Sequence, residues 1–257
     1  MAVLDSSIAN IALPTIAAEL QAPAALSIWV INAYQLAITA LLLPLSALGD
    51  RIGYRRVYLP GLAIFIAGSA ACAMSDSLAT LIAARMFQGI GAAAIMSMNA
   101  ALVRATFPQA KLGRGIGYNA LVLSLSAAAG PSIAALILSA GSWPWLFLIN
   151  IPIGLASLLI GRKALPATEG HGRKPDYPAA VLSAVTLGTL VYGGETLARG
   201  EIGMGAPLLG IALVAGYFLV RREWHREAPL LPLDLLRIPV LALSLVTSIT
   251  TFAAQMC

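Results

Sequence analysis

The stretch SALGDRIGYRR, residues 46–56, is a short polar segment between two long apolar runs. It contains Asp50 and three arginines, whereas the flanking runs, Trp29–Leu48 and Tyr58–Met74, carry no charge. A helix needs about 20 apolar residues to cross a hydrocarbon core about 30 Å thick. The stretch therefore predicts a tight connection between two membrane helices, in which Gly53 permits the turn.

The composition of the whole chain also indicates a membrane protein. Of its 257 residues, 59% are hydrophobic and only 11% are charged, and the mean hydropathy is +0.86. Soluble domains carry about a quarter charged residues. In lipid, backbone polar groups must be satisfied inside helices or closed barrels, and long apolar runs favour helices. We therefore predict an all-α polytopic membrane protein.

About nine apolar segments are predicted to be helical. Besides the opening stretch from Met1 and the two runs named above, they are Leu78–Val103, Ile116–Leu138, Trp145–Ile160, Tyr177–Leu197, Pro207–Val220 and Pro239–Cys257.

The basic residues are distributed unevenly between the connecting loops. If the 46–56 loop is cytoplasmic and the helices alternate, all 16 lysines and arginines except Arg85 and Arg199 lie in cytoplasmic loops. The positive-inside rule predicts this bias for helical membrane proteins. The bias also accounts for the net charge of +5, so we expect no nucleic-acid partner.

Several classes of chemistry lack their sequence signals. The two cysteines, Cys72 and Cys257, provide neither a disulfide framework nor a metal-ligand spacing. His171 and His225 lie far apart in polar loops. A nucleotide loop of the form G-x-x-x-x-G-K-[ST] is absent from the sequence. We therefore expect no enzyme activity, no cofactor and no metal, and no ATP-driven transport by this chain.

The 46–56 loop resembles the signature loop of the major facilitator superfamily, commonly written G-x-L-a-D-R-x-G-R-R. Five residues match it: Asp50, Arg51, Gly53, Arg55 and Arg56. Ser46 and Tyr54 replace a glycine and a basic residue. The resemblance implies that the matching residues form a cytoplasmic latch, which stabilises the outward-open state by holding the two halves of a transporter together.

The opening stretch LDSSIANIALP, residues 4–14, resembles the first-helix motif L-D-x-T-x-x-N-x-A-L-P of the fourteen-helix drug:proton antiporter branch. The resemblance implies that Asp5 is a protonation site or recognises a cationic substrate. Pro14 cannot donate to the carbonyl of Asn10, so the helix has a local reason to bend. For Asn10, both substrate contact and a helix–helix hydrogen bond remain open.

LIAARMFQGIGAA, residues 81–93, resembles the fourth-helix motif of the family, with Arg85, Gln88 and Gly89 in register. A buried charge in a membrane helix costs about 2.5–3.5 kcal/mol on insertion scales, so it normally faces a cavity or a partner. We expect Arg85 to face the same cavity as Asp5. Its positive charge would then return Asp5 to the ionised form on each transport cycle. A structural ion pair and a snorkelling arginine are the alternatives.

SAAAGPSIAA, residues 126–135, resembles the fifth-helix antiporter motif G-x-x-x-G-P-x-x-G-G. Gly130 and Pro131 are kept, while Ser126, Ala134 and Ala135 replace glycines. Small side chains still allow close helix packing, and the proline removes a backbone hydrogen bond and bends the helix.

Two further stretches, WPWLFLINIPIG (143–154) and PLLPLDLLR (229–237), look like connectors of the same branch. The resemblance divides the chain into an amino-terminal bundle (1–161), a cytoplasmic linker (162–176), two extra central helices (177–221) and the start of a second bundle (222–257). Members of the branch have a longer first helix and a complete second bundle. We therefore expect a fragment of a transporter; a natural half-size protein that dimerises is the alternative.

The function implied is proton-coupled efflux of lipophilic or cationic drugs across the bacterial cytoplasmic (inner) membrane, driven by the proton gradient. The expected partners are the lipid bilayer and a small lipophilic or cationic substrate; the oligomeric state stays open. The alternative is a major facilitator transporter of another solute, such as a sugar, a metabolite or a siderophore. Glu195 is the other acid near a helix interior, and we expect it to be interfacial.

Overall fold

The computed structural model describes residues 1–168, 170, 177–223, 243–244 and 247, and all of its regular structure in these residues is helical. The helices are α1 Ala2–Glu19, α2 Ala24–Ser27, α3 Trp29–Ile52, α4 Tyr54–Ala73, α5 Leu78–Thr106, α6 Leu112–Ala140, α7 Trp145–Leu148, α8 Asn150–Ala164, α9 Tyr177–Ala198 and α10 Ile202–Glu223, with a short 3₁₀ helix, Gln109–Lys111, before α6.

Seven helical spans in the described residues are long and apolar enough to cross a membrane. They are Ala24–Ile52, Tyr54–Ala73, Leu78–Thr106, Gln109–Ala140, Pro144–Ala164, Pro178–Leu197 and Ile202–Arg222. This confirms the prediction of an all-α polytopic membrane protein. The predicted helix Pro239–Cys257 lies almost wholly outside the described residues.

The predicted 46–56 loop is largely helical. The apolar runs predict helix ends at Leu48 and Tyr58, but α3 continues to Ile52 and α4 begins at Tyr54, so only Gly53 separates them. Hydropathy marks where a helix leaves the lipid, whereas the backbone hydrogen bonds continue into the polar surface. Gly53 has a φ of +102°, a conformation that L side chains rarely adopt.

Two other segments also differ from the predictions: one helix is longer than predicted, and one segment is divided into two helices. The segment predicted as Pro207–Val220 extends over Ile202–Glu223 as α10. The segment Trp145–Ile160 is instead divided into α7 and α8, with Ile149 between them. This division places Asn150 in the first turn of α8.

Helix α5 lies at the centre of the bundle and packs between α3 and α4. Its start is fixed by a capping box, in which the side chains of Ser77 and Thr80 each accept a hydrogen bond from the other's backbone N–H. Close packing against α3 requires Gly89, because a Cβ there would lie 2.7 Å from Ala37 Cβ and 2.8 Å from Tyr34 O. Helix α5 is the most buried of the seven spans, and α6 is the least buried.

Helix α1 packs against α6, and the hairpin of α9 and α10 packs against α3. Trp29 of α3 meets Tyr192 of α9 edge to face, with ring centroids 5.2 Å apart. The assignment of α9 and α10 as the extra central pair of the fourteen-helix branch stays a prediction.

Candidate functional site

Four polar side chains from three helices meet in the interior of the bundle. Asp5 comes from α1, Arg85 and Gln88 from α5, and Asn150 from α8. Asp5 is 2% exposed and the other three are fully buried. Arg85 and Gln88 are three residues apart, so both project from one face of α5. We call these four residues the Asp5 cluster.

The carboxylate of Asp5 accepts hydrogen bonds from all three other members of the cluster. Arg85 Nη1 lies 2.6 Å from Oδ2. Gln88 Nε2 and Asn150 Nδ2 lie 3.0 Å and 2.7 Å from Oδ1. All three partners are donors, and an ionised carboxylate is a pure acceptor, so the arrangement is suited to the charged form of Asp5.

The guanidinium of Arg85 is held on several sides. Its Nε donates to the backbone oxygen of Val30 at 3.1 Å, and its Nη1 also donates to Gln88 Oε1 at 2.6 Å. Its central carbon lies 4.0 Å from the ring centroid of Tyr34 and 5.6 Å from that of Phe147. Desolvated cation–π contacts of this kind stabilise a cation. The arginine therefore stays in the interior as an ion pair and does not snorkel to the surface.

Gln88 connects the Asp5 cluster to helix α4. Its Nε2 also donates to Ser69 Oγ at 2.8 Å, and its Oε1 accepts from Cys72 Sγ at 3.6 Å. The two helices are close enough for these bonds because position 68 is glycine: a Cβ on Gly68 would lie 2.6 Å from Gln88 Cα. The fourth-helix motif thus supplies both the cation and the amide that orients it.

Asn150 is the member of the cluster that sequence reasoning did not identify. It lies in the connector WPWLFLINIPIG, whose sequence predicted membership of the branch but no site residue. The available signal was an amide in an otherwise apolar run, because such side chains usually form hydrogen bonds between membrane helices. Its Oδ1 is buried without a hydrogen-bond partner in the described part of the chain.

The two other first-helix motif residues lie outside the cluster. Asn10 and Pro14 are exposed. Within the described ranges, the side chain of Asn10 makes no hydrogen bond, so this conformation lacks the predicted alternative of a helix–helix bond. The fifth-helix motif contacts the first-helix motif directly, because a Cβ on Gly130 would lie 2.5 Å from Ser7 Cβ. Pro131 follows Gly130 inside α6.

The predicted latch residues form a separate group at the facing ends of α3 and α4. The hydroxyl of Tyr54 donates to Asp50 Oδ1 at 2.9 Å. Arg55 donates to the backbone oxygen of Arg162 at the end of α8, and Arg56 donates to that of Ile52 at 3.3 Å. These described contacts join the ends of α3, α4 and α8, and the contact between the two halves of a transporter stays a prediction.

Glu195 belongs to another site. It accepts a hydrogen bond from Asn32 and forms an ion pair with Arg199, the residue that directly follows the end of α9. The guanidinium of Arg199 lies 5.8 Å from the ring centroid of Trp29. Both charged side chains remain partly exposed, so this pair is less buried than that of Asp5 and Arg85.

Comparison with known proteins identifies relatives over the whole chain. It is 51% identical over 259 residues to the uncharacterized transporter YebQ of Escherichia coli, covering 100% of this chain and 57% of that protein. The riboflavin transporter RibZ of Clostridioides difficile is 38% identical, over 92% of this chain and 52% of its own. The methylenomycin A resistance protein of Streptomyces coelicolor is 33% identical, over 93% of this chain and 51% of that protein.

The chain thus spans about half the length of the curated relatives it matches. A family profile described as Major Facilitator Superfamily matches residues 1–256. The proteins of this family are transporters and not enzymes. Together with the seven apolar spans, the match identifies a multi-pass protein of the bacterial inner membrane. The chain belongs to the Major Facilitator Superfamily.

Proposed function

We propose that the protein exports lipophilic or cationic drugs in exchange for protons, with Asp5 as the group that binds the proton. The observation that carries this proposal is the ion pair between Asp5 Oδ2 and Arg85 Nη1, 2.6 Å long and almost fully buried. A carboxylate inside a membrane bundle is a proton-binding group that solvent reaches only after the helices around it move.

The geometry connects the protonation of Asp5 to the position of α1. Ionised Asp5 ties α1 to α5 through Arg85 and Gln88, and to α8 through Asn150. Protonation removes the charge that Arg85 compensates, and a buried charge without its partner is unfavourable by about 3–5 kcal/mol. Proton binding therefore favours a different arrangement of α1 and α5, which is the step that couples proton entry to opening of the transport path.

Arg85 also determines how a cationic substrate acts on Asp5. Its guanidinium lies where a substrate cation would have to sit to contact Oδ2. Direct competition of proton and substrate for the same oxygen therefore requires that Arg85 first move away. We favour an indirect coupling, in which the substrate stabilises the conformation that releases the proton.

The substrate class and the place of the chain in the transporter belong to the same proposal. The methylenomycin A resistance protein supports a drug as substrate. The matched relatives are about twice as long as this chain, which supports its assignment as the amino-terminal half of the transport path, with α9 and α10 as the extra helices of the fourteen-helix branch. The exposed apolar side chains of α6, such as Leu121, Val122 and Leu125, suit lipophilic ligands.

The riboflavin transporter among the relatives supports a second candidate function. This second function is the transport of a soluble metabolite by the same fold. The Asp5 cluster would then either couple this transport to proton movement or have a purely structural role. The two candidates predict different substrates and are separated by the experiment below.

The experiment is an efflux assay with the complete reading frame that contains this chain, expressed in an efflux-deficient bacterial host. We expect wild-type cells to lower the accumulation of ethidium and tetraphenylphosphonium, and the Asp5→Asn variant to lose this effect at an unchanged amount of protein in the membrane. Glu19→Gln is the matched control, because Glu19 is an exposed acid on the same helix.

Two results would contradict the proposal. Export of both dyes by Asp5→Asn at the wild-type rate would exclude Asp5 as the coupling group. Transport of riboflavin without any transport of the dyes would establish the second candidate instead.

A further inference from the structure

Four arginines line one pocket at the predicted cytoplasmic end of the bundle. The pocket has a volume of about 890 Å³ and lies between α4, the end of α8 and the residues that follow α8. Arg51, Arg55 and Arg56 come from the facing ends of α3 and α4, and Arg162 comes from the last turn of α8. Among the described lining residues there is no acid.

Two of the arginines satisfy backbone groups and still have donors to spare. The carbonyl of Arg162 lacks its usual helical donor, because residue 166 is proline and has no N–H; Arg55 donates to it instead. Arg56 donates to the backbone oxygen of Ile52. Each guanidinium has five N–H donors. Among the described residues, the side chains of Arg51 and Arg162 have no hydrogen-bond or ion-pair partner. The described part of the pocket therefore presents an excess of donors and of positive charge.

The other end of the pocket is apolar. Its lining continues along α4 through Leu59, Pro60 and Ala63, and along α8 to Leu158. From Arg55 to Ala63 is about 12 Å along the helix axis at 1.5 Å per residue. A cationic end at the membrane surface and an apolar end that runs into the membrane match the two parts of a phospholipid. A free phosphate ion would use only the arginine end.

We infer that this pocket binds an anionic phospholipid of the cytoplasmic leaflet, with the phosphate of the headgroup on the arginines and an acyl chain along α4 and α8. Basic pockets between membrane helices on the cytoplasmic side are known to accept anionic headgroups. The site is separate from the Asp5 cluster and does not depend on the proposed transport function.

The test is native mass spectrometry of the purified chain in detergent with added dioleoyl phosphatidylglycerol or dioleoyl phosphatidylcholine. We expect the chain to retain phosphatidylglycerol in preference to phosphatidylcholine. The double variant Arg51→Gln/Arg162→Gln should bind phosphatidylglycerol roughly 30-fold more weakly, at about fivefold per arginine near an anionic surface. Arg114→Gln, an exposed arginine at the start of α6 on the same predicted membrane side, should bind as the wild type does.

If the double variant does not fold, measurements on the wild-type chain still test the lipid site. On the wild-type chain, phosphatidylglycerol should raise the thermal unfolding temperature more than phosphatidylcholine does, and inorganic phosphate should not displace it. Equal retention of the two lipids, or unchanged binding by a folded double variant, would overturn the inference. Displacement by inorganic phosphate would overturn the lipid as occupant in favour of a free anion.

Discussion

Asp5 and Arg85 are buried charges that depend on each other. Neither would be stable alone at this position, because removing one partner of a buried ion pair costs about 3–5 kcal/mol. The pair also needs the amides around it, since Gln88 and Asn150 supply the remaining donors to Asp5. The buried ion pair therefore depends on two amides as well as on two charges.

Asn150→Ala tests the contribution of the amide that sequence reasoning missed. A hydrogen bond to a charged group contributes about 1.5–3 kcal/mol. We expect the loss of the 2.7 Å bond to Asp5 to lower the free energy of unfolding by about 2 kcal/mol. In a protein of this size this corresponds to about 4–8 °C in Tm, measured by thermal unfolding in detergent.

Asn10→Ala is the control for that measurement. Asn10 is exposed on α1, and substitutions at such positions change stability by no more than about 0.5 kcal/mol. Equal losses of stability for the two alanine variants would show that Asn150 does not hold Asp5.

Helix α1 is held from two sides by different kinds of contact. On one side the Asp5 cluster ties it to α5 and α8 by polar contacts that protonation can change. On the other side it packs against α6, where Ser7 Oγ donates to the backbone oxygen of Ala127 at 3.1 Å and Gly130 leaves room for the Ser7 side chain. The contact with α6 contains no ionisable group, so proton binding at Asp5 does not change it directly.

Gly130→Ala tests the contact between α1 and α6. The added methyl group would lie 2.5 Å from Ser7 Cβ, so the helices must separate. Overpacking of this kind typically costs about 1–3 kcal/mol. We expect a lower Tm for the purified chain, and recovery of part of the loss in Gly130→Ala/Ser7→Gly.

The matched control for this prediction lies on the same helix. A Cβ on Gly117 meets no atom within 4 Å, and alanine is favoured over glycine in a helix by about 1 kcal/mol. Gly117→Ala should therefore leave Tm unchanged or raise it. If Gly130→Ala is equally harmless, α1 and α6 are not packed as the structure shows.

The number of buried acids determines which part of the proton gradient can drive the proposed exchange. Asp5 is the only buried acid among the described residues. An exchange of one proton at this site for one monovalent cation moves no net charge across the membrane. The membrane voltage contributes about 2.3 kcal/mol per charge per 100 mV, so it would not drive such an exchange; the pH gradient would.

This predicts the response of transport to the two components of the proton gradient. In proteoliposomes that contain the complete reading frame, we expect a pH gradient to drive tetraphenylphosphonium transport even when valinomycin and potassium hold the voltage at zero. An imposed voltage without a pH gradient should drive no transport above that in protein-free liposomes, which this lipophilic cation enters by itself. Transport driven by voltage alone would show that more than one proton moves and that a second acid takes part.

Much of the fold and part of the site could be predicted from the sequence. The apolar runs and the asymmetry of basic residues specify membrane helices and an orientation, because lipid requires both locally. The motifs also predicted that Asp5 and Arg85 face one cavity, and they identified Gln88 as a motif residue without joining it to that pair. They did not show that Asn10 and Asp5 would lie in different environments, although α1 carries both.

The sequence by itself determined the solvent, the helices and the family, because these depend on local hydropathy and on motifs whose spacing can be read along the chain. Only the tertiary structure decided that Arg85 pairs directly with Asp5, that Asn150 completes the cluster and that Arg162 joins Arg51, Arg55 and Arg56 in one pocket. The physical reason is that these contacts join residues far apart in the sequence. Asp5 is 80 positions from Arg85 and 145 from Asn150, and Arg55 is 107 positions from Arg162. Their meeting depends on how the helices pack, which small residues such as Gly68, Gly89 and Gly130 control through shape.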